Sequence, residues 1–296
     1  MVPAVLDSPD PQVVSADGTR IWAARAGRSP AEAPTIVLVP GFAFPSFVFE
    51  KQFQDEQLLS KFCLITYEPR GQGRSTAVSD EGNPWTPKKI AQDFEAVCKY
   101  YGASKVFLAG WSYGCIIACD VFASDLGHYI EGLIYIAGLP SANVFKTCYS
   151  EETTVYFSPR MTTPSMTDGD TVGDFYRRFV ESCFLQPYRS TMPYTFKAAL
   201  LGSMALTTPT QRRREFAIRM QEPDKLLAAA PDVETLFILG SNDDAVKTDV
   251  IQTYLEDNFP RLQTELVAES GHAMFWEKPE EVGKLIVDFV ARVNKA

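Results

Sequence analysis

A serine hydroxyl is a weak nucleophile at neutral pH. It needs a neighbouring base to take its proton and an acid to orient that base. The chain offers a setting for each. Ser112 lies in Gly110-Trp111-Ser112-Tyr113-Gly114. Ahead of it, Val106-Phe107-Leu108-Ala109 is a short apolar run suited to a buried parallel strand. Behind it, Ile116, Ile117, Val121 and Phe122 recur with helical spacing. The pattern reads as strand, sharp turn, helix. Two glycines leave room for a turn tight enough to strain and expose its middle residue, and the helix directs its positive end at the same point. Gly-x-Ser-x-Gly recurs by chance in many chains, so the flanking strand and helix carry the reading.

The chain has only two histidines, His128 and His272. A multi-histidine metal site is thereby nearly excluded, and no cysteine cluster replaces it. His272 ends Glu269-Ser270-Gly271-His272, just after a strand that closes at Ala268. His128 follows a helix and precedes the next strand, which puts it at the opposite edge of a sheet. The acid is sought in Gly240-Ser241-Asn242-Asp243-Asp244, after a strand ending at Leu239. Asp243 is the preferred partner, with its neighbour Asp244 left open; Asp249 reads as a residue of a first helical turn. Loops that follow the C-terminal ends of strands in an open α/β sheet converge on one site. Ser112, Asp243 and His272 are therefore expected on one rim. Donors for a developing oxyanion would be the backbone N–H groups of Tyr113 and Phe42.

The surrounding elements supply such a sheet. Residues 12–26 read as a hairpin around Asp17-Gly18. Buried strands are expected at 35–39, 62–67, 106–109, 132–138, 234–240 and 262–268. Helices are expected at 46–60, 86–101, 248–258 and 279–293. This alternation predicts an α/β architecture, a mostly parallel central sheet with helices on both faces. It breaks between 141 and 225, where no such strand appears. A loose Ser/Thr/Met/Pro stretch (158–170) precedes helical patterns at 172–184, 194–205 and 210–221. The organisation read is a core in two parts, 1–140 and 226–296, around a helical cap insertion at 141–225, which is too long for a simple loop.

The 296 residues are 46% hydrophobic and 22% charged, enough apolar content for a sizeable core, and the net charge of -9 argues against a nucleic-acid or acidic-membrane partner. No signal peptide and no membrane-spanning stretch is read, and the expected location is cytoplasmic. The six cysteines, Cys63, Cys98, Cys115, Cys119, Cys148 and Cys183, form no C-x-x-C pair and read as free core residues.

Taken together, Pro40-Gly41-Phe42, Glu68-Pro69-Arg70-Gly71-Gln72-Gly73-Arg74-Ser75, the serine turn, Gly240-x-x-Asp243 and Ser270-Gly271-His272 followed by Glu277, Pro279 and Glu280 resemble the α/β-hydrolase fold superfamily, in its capped, serine-nucleophile, esterase- or lipase-like form. The likeness covers nearly the whole chain outside the insertion. It implies catalytic roles for Ser112, Asp243 and His272, oxyanion roles for Phe42 and Tyr113, no cofactor, and a helical cap between the sixth and seventh strands of the core. Two departures stand out. Pro40 stands where a histidine is usual, and Glu68 where an aspartate is usual.

Fold does not select a reaction. Serine at the turn argues against the epoxide hydrolases and dehalogenases of this family, which use aspartate there, and favours acyl transfer to water. The insertion is rich in aromatic and methionine residues, among them Phe157, Met161, Met166, Phe175, Phe179 and Phe196. Some of these, with Phe42, Phe44, Trp111 and Phe275, could line an apolar pocket. The expected activity is hydrolysis of a small to medium apolar ester, lactone or thioester. The alternatives are a ligand-binding sensor that keeps the triad and a cofactor-free lyase or oxygenase using His272 as base. Oligomeric state is not legible.

Overall fold

The computed structural model describes residues 3–8, 12–76, 83–162, 168–215 and 220–295. The N-terminal hairpin is small. β1 (Val13–Val14) pairs antiparallel with β2 (Arg20–Ile21) as a separate two-stranded sheet. The chain then enters the main sheet through β3 (Ala23–Gly27), β4 (Thr35–Val39), β5 (Cys63–Tyr67), β6 (Val106–Trp111), β7 (Ile130–Ile136), β8 (Glu234–Gly240) and β9 (Leu262–Val267). Their spatial order is β3-β5-β4-β6-β7-β8-β9; β3 runs antiparallel to β5 and every other pair is parallel.

Every residue of β4, β5 and β6 is buried, as expected of parallel strands covered on both faces. Edge strand β9 reads Leu-Gln-Thr-Glu-Leu-Val and is only partly buried along most of its length, and polar side chains there discourage pairing with another chain. Helix Pro87–Tyr101 packs on Ile117–Ala123, while Glu56–Lys61 packs on Pro279–Val293. The first of these begins as its sequence dictates. Thr86 caps it by accepting from the Lys89 amide, Pro87 occupies the first turn, and Gly102 leaves it in the left-handed conformation.

Three expectations need correction. Residues 46–60 are not one helix. They form two single 3-10 turns, Ser46–Phe49 and Gln52–Gln54, before helix Glu56–Lys61. The break comes where Asp55 turns extended and its carboxylate accepts from the Gln57 and Leu58 amides, a cap worth about 1 kcal/mol. The helical insertion follows the fifth strand of the seven-stranded sheet, not the sixth, because the N-terminal hairpin pairs only with itself. The helix expected at 210–221 is described only as Pro209–Arg213; residues 216–219 lie outside the described residues, as do 163–167, which include Met166. The other two helices of the insertion stand at Gly169–Ser182 and Tyr194–Leu206.

Candidate active site

The serine turn shows why its glycines are there. A Cβ on Gly110 would stand 2.4 Å from the Cys115 backbone, and one on Gly114 would stand 2.3 Å from the Val39 carbonyl oxygen of the neighbouring strand. Both glycines serve close backbone approach. Between them Ser112 has φ of 52°, a left-handed conformation that costs a side-chain-bearing residue about 1 kcal/mol or more. The chain continues first as a 3-10 turn, Ser112–Ile116, and only then as helix Ile117–Ala123. Five non-glycine residues among those described have positive φ: Ala43, Ser112, Asp125, Ala137 and Glu269. Four of them follow the C-terminal ends of β4, β6, β7 and β9. Backbone strain is thus concentrated on one rim of the sheet.

That rim also holds the other predicted residues. His272 Nδ1 lies 2.7 Å from Asp243 Oδ2, with the imidazole 4% and the carboxylate 0% exposed. The remaining Asp243 oxygen accepts from the Ala245 and Val246 amides at 2.9 and 3.2 Å. A carboxylate at Nδ1 holds the ring proton on that nitrogen and leaves Nε2 as a base. Asp244 is exposed; of the two adjacent aspartates it is Asp243 that pairs with His272. Asp249 sits in the first turn of helix Thr248–Asn258. His128 is exposed, with its Nδ1 3.3 Å from the Asp125 carbonyl oxygen, at the opposite end of the sheet, just before β7.

Several contacts set the histidine loop against the serine turn. The Trp111 indole N–H donates to the His272 carbonyl at 2.9 Å. A Cβ on Gly240 would meet the Gly271 carbonyl at 2.3 Å, so β8 must present glycine where that loop crosses. The buried Glu277 carboxylate accepts from the Gly271 amide at 2.6 Å and the Leu185 amide at 2.5 Å, tying the loop to the helical insertion. Burial pushes the Glu277 carboxyl up from its ordinary value, against the pull of those two amides.

Ser112 and His272 face one narrow cavity of about 60 Å³. No hydrogen bond joins the Ser112 hydroxyl to the imidazole among the described residues; such bonds commonly tighten only when substrate is bound. Gly41, Phe42, Phe44, Trp111, Tyr113 and Leu139 form the sheet side of the cavity, and Tyr149, Phe157, Met161, Phe179 and Cys183 come from the insertion. Phe42 and Tyr113 flank the serine with their rings in edge contact at 5.4 Å. Phe275, expected in the pocket, does not line it. It lies behind Trp111, with ring centroids 5.1 Å apart, and against Phe49. Cys183 also lines the cavity. Burial pushes its thiol well up, so it stays protonated and inert at neutral pH.

Glu68 is buried at the glycine-rich turn. Its buried carboxylate accepts from the Ser46 amide at 3.1 Å and the Arg74 amide at 2.6 Å, and pairs with the Arg74 guanidinium at 2.6 Å. The glycine-rich turn is therefore folded around a buried acid. The sequence alone did not reveal Gln72, Gln211 and Glu215, which form a buried polar chain beside the cavity. No local pattern marks them, because Gln72 and Glu215 are 143 positions apart. Among the described residues no group of three or more His, Cys, Asp or Glu is arranged to hold a metal, and no helix is long and apolar enough to cross a membrane.

The chain is similar to several solved structures. A Burkholderia cenocepacia protein assigned as an aryl esterase shares 27% identity and a TM-score of 0.81, covering 96% of this chain and 98% of that one. An esterase from Rhodococcus sp. ECU1013 shares 22% identity and a TM-score of 0.81, covering 97% and 100%. An enol-lactonase from Burkholderia xenovorans LB400 shares 19% identity and a TM-score of 0.73, covering 93% and 98%. The sequence model of the alpha/beta hydrolase family matches residues 36–285. With a mostly parallel sheet, a strained serine at the end of β6 and that match over most of its length, the chain belongs to the alpha/beta hydrolase family.

Proposed function

We propose that the protein hydrolyses small apolar carboxylic esters or lactones through an acyl-enzyme on Ser112. The observation that carries this reading is the Asp243–His272 pair at 2.7 Å on the same cavity as the strained serine. In this reading His272 Nε2 takes the Ser112 proton as Oγ adds to the substrate carbonyl carbon. The negative charge that moves onto the carbonyl oxygen is met by the amides of Phe42 and Tyr113. The tetrahedral adduct collapses, the C–O bond to the leaving group breaks, and His272 returns the proton to the departing alkoxide. Water then repeats the sequence on the acyl-enzyme and frees the acid. Asp243 keeps the imidazole in the tautomer and orientation the step needs, and stabilises the imidazolium.

The cavity supports the substrate class. Its walls are mostly apolar, with Ser112, Thr153, Ser158, Ser182 and His272 among the polar exceptions. In this reading a short uncharged acyl group suits so small and apolar a cavity better than a carboxylate does. Segment 141–225 acts in this reading as a cap that supplies the far wall. Solved relatives named as esterases and as an enol-lactonase are consistent with ester or lactone chemistry. The test is turnover of p-nitrophenyl acetate, butyrate and decanoate beside Ser112→Ala. Turnover that favours the two short esters and disappears in the variant is expected. Tight binding of the esters without turnover by the wild type would overturn the reading.

A further inference from the structure

The loop after β4 carries Phe42, whose amide the mechanism needs, and next to it Ala43 at φ of 59°. Alanine does not favour that conformation, so something must hold it there. The Ala43 amide donates to Gln72 Oε1 at 2.9 Å. Gln72 Nε2 donates to Glu215 Oε2 at 2.8 Å, and Gln211 Nε2 donates to Glu215 Oε1 at 3.1 Å. Gln72 and Glu215 are only 1% and 2% exposed. A backbone N–H can only donate, so the Gln72 carbonyl must face Ala43, which leaves its NH₂ to face Glu215. Glu215 also meets the residue after the serine, since the Tyr113 hydroxyl donates to its main-chain carbonyl at 3.3 Å.

We propose that Gln72 is a positioning residue for the oxyanion turn, and that Glu215, carried on the insertion, fixes the direction in which the Gln72 amide points. The turn then has its working shape only while the insertion is seated. This rests on the hydrolase reading above, because the turn matters only if an oxyanion forms there. The electrostatic logic is simple. With glutamate at both positions, two carboxylates would face each other in a buried site, and one must take up a proton or turn away. With the two residues exchanged, a carboxylate at 72 still accepts from the Ala43 amide and from the new glutamine at 215. That glutamine still offers its carbonyl to Gln211.

The test is the set Gln72→Glu, Glu215→Gln and the two together, read as kcat and KM on p-nitrophenyl acetate and as hydrogen exchange at the Ala43 amide. The single change Gln72→Glu is expected to lower kcat at least tenfold with KM within about threefold, because a misplaced donor weakens only the transition state. It should also speed exchange at Ala43. The exchanged pair is expected to recover kcat to within about threefold and to slow that exchange again. A purely structural role predicts a lower melting temperature in the single variant with unchanged kcat; that result, or an exchanged pair no better than Gln72→Glu, overturns the inference. If the wild type turns over no ester, the hydrolase reading fails by itself, and recovery or loss of Ala43 protection in the exchanged pair decides this one.

Discussion

The rim of the sheet and the helical insertion above it build one cavity by different means. On the rim, backbone geometry does the positioning. Gly110, Gly114 and Gly240 stand where any Cβ would strike a neighbouring main chain, and Ala43, Ser112, Ala137 and Glu269 are held at positive φ just past strand ends. The insertion carries no strand among the described residues. It is held by one short main-chain bridge, Tyr149 against Val246, and by scattered contacts: Ala273 N–H to the Cys183 carbonyl at 2.9 Å, Leu185 to Glu277, Thr153 Oγ1 to the Ala245 carbonyl at 2.7 Å, and Gln72 to Glu215. Rings fill the remainder, with Phe179 near Phe44 and Phe157. In the proposed reading, chemistry that depends on sub-ångström placement is set on the rim, and selection by size is left to the insertion, which can change without unfolding the sheet.

This contrast yields graded predictions. Ser112→Ala is expected to lower kcat for a short ester by about 10⁴-fold or more while the melting temperature stays within a few degrees; thermal unfolding beside the rate assay checks both. Asp243→Asn should leave the fold intact and lower kcat by about 10³- to 10⁴-fold, since an amide cannot hold the imidazole in the same tautomer. Gly114→Ala puts a methyl 2.3 Å from the Val39 carbonyl oxygen and should destabilise the whole protein by about 3 kcal/mol in denaturant titration. A neutral result there would show that the rim is softer than described. Phe179→Ala, on the insertion side, should leave acetate turnover within a few fold. It should raise relative kcat/KM for a hexanoate ester by about tenfold, a magnitude set by the one to three kcal/mol a hydrophobic group contributes in a pocket.

What could be read from the sequence follows the same division. Continuous apolar runs fixed β4 to β8, and the Thr86-Pro87 start and Gly102 end bounded a helix, because these signals are local. Ser112, His272 and Asp243 could be placed on one rim because each follows a strand end, and strand ends of a parallel sheet point one way. The segment 46–60 reads as a single helix because apolar spacing does not report a cap at Asp55. Phe275 was misplaced because an aromatic near a catalytic loop can as well back a tryptophan as face a substrate. Gln72, Gln211 and Glu215 left no trace, since their partnership exists only once the insertion is seated. Glu277 was noticed as part of a pattern, but its two amide partners belong to tertiary structure.

The most direct measurement is reaction with a fluorophosphonate, followed by peptide mapping and repeated with His272→Ala. A serine activated by His272 predicts a single adduct on Ser112, formed quickly in the wild type and at least a hundredfold more slowly in the variant. An adduct on any other residue, or equal rates with and without the imidazole, would contradict the account.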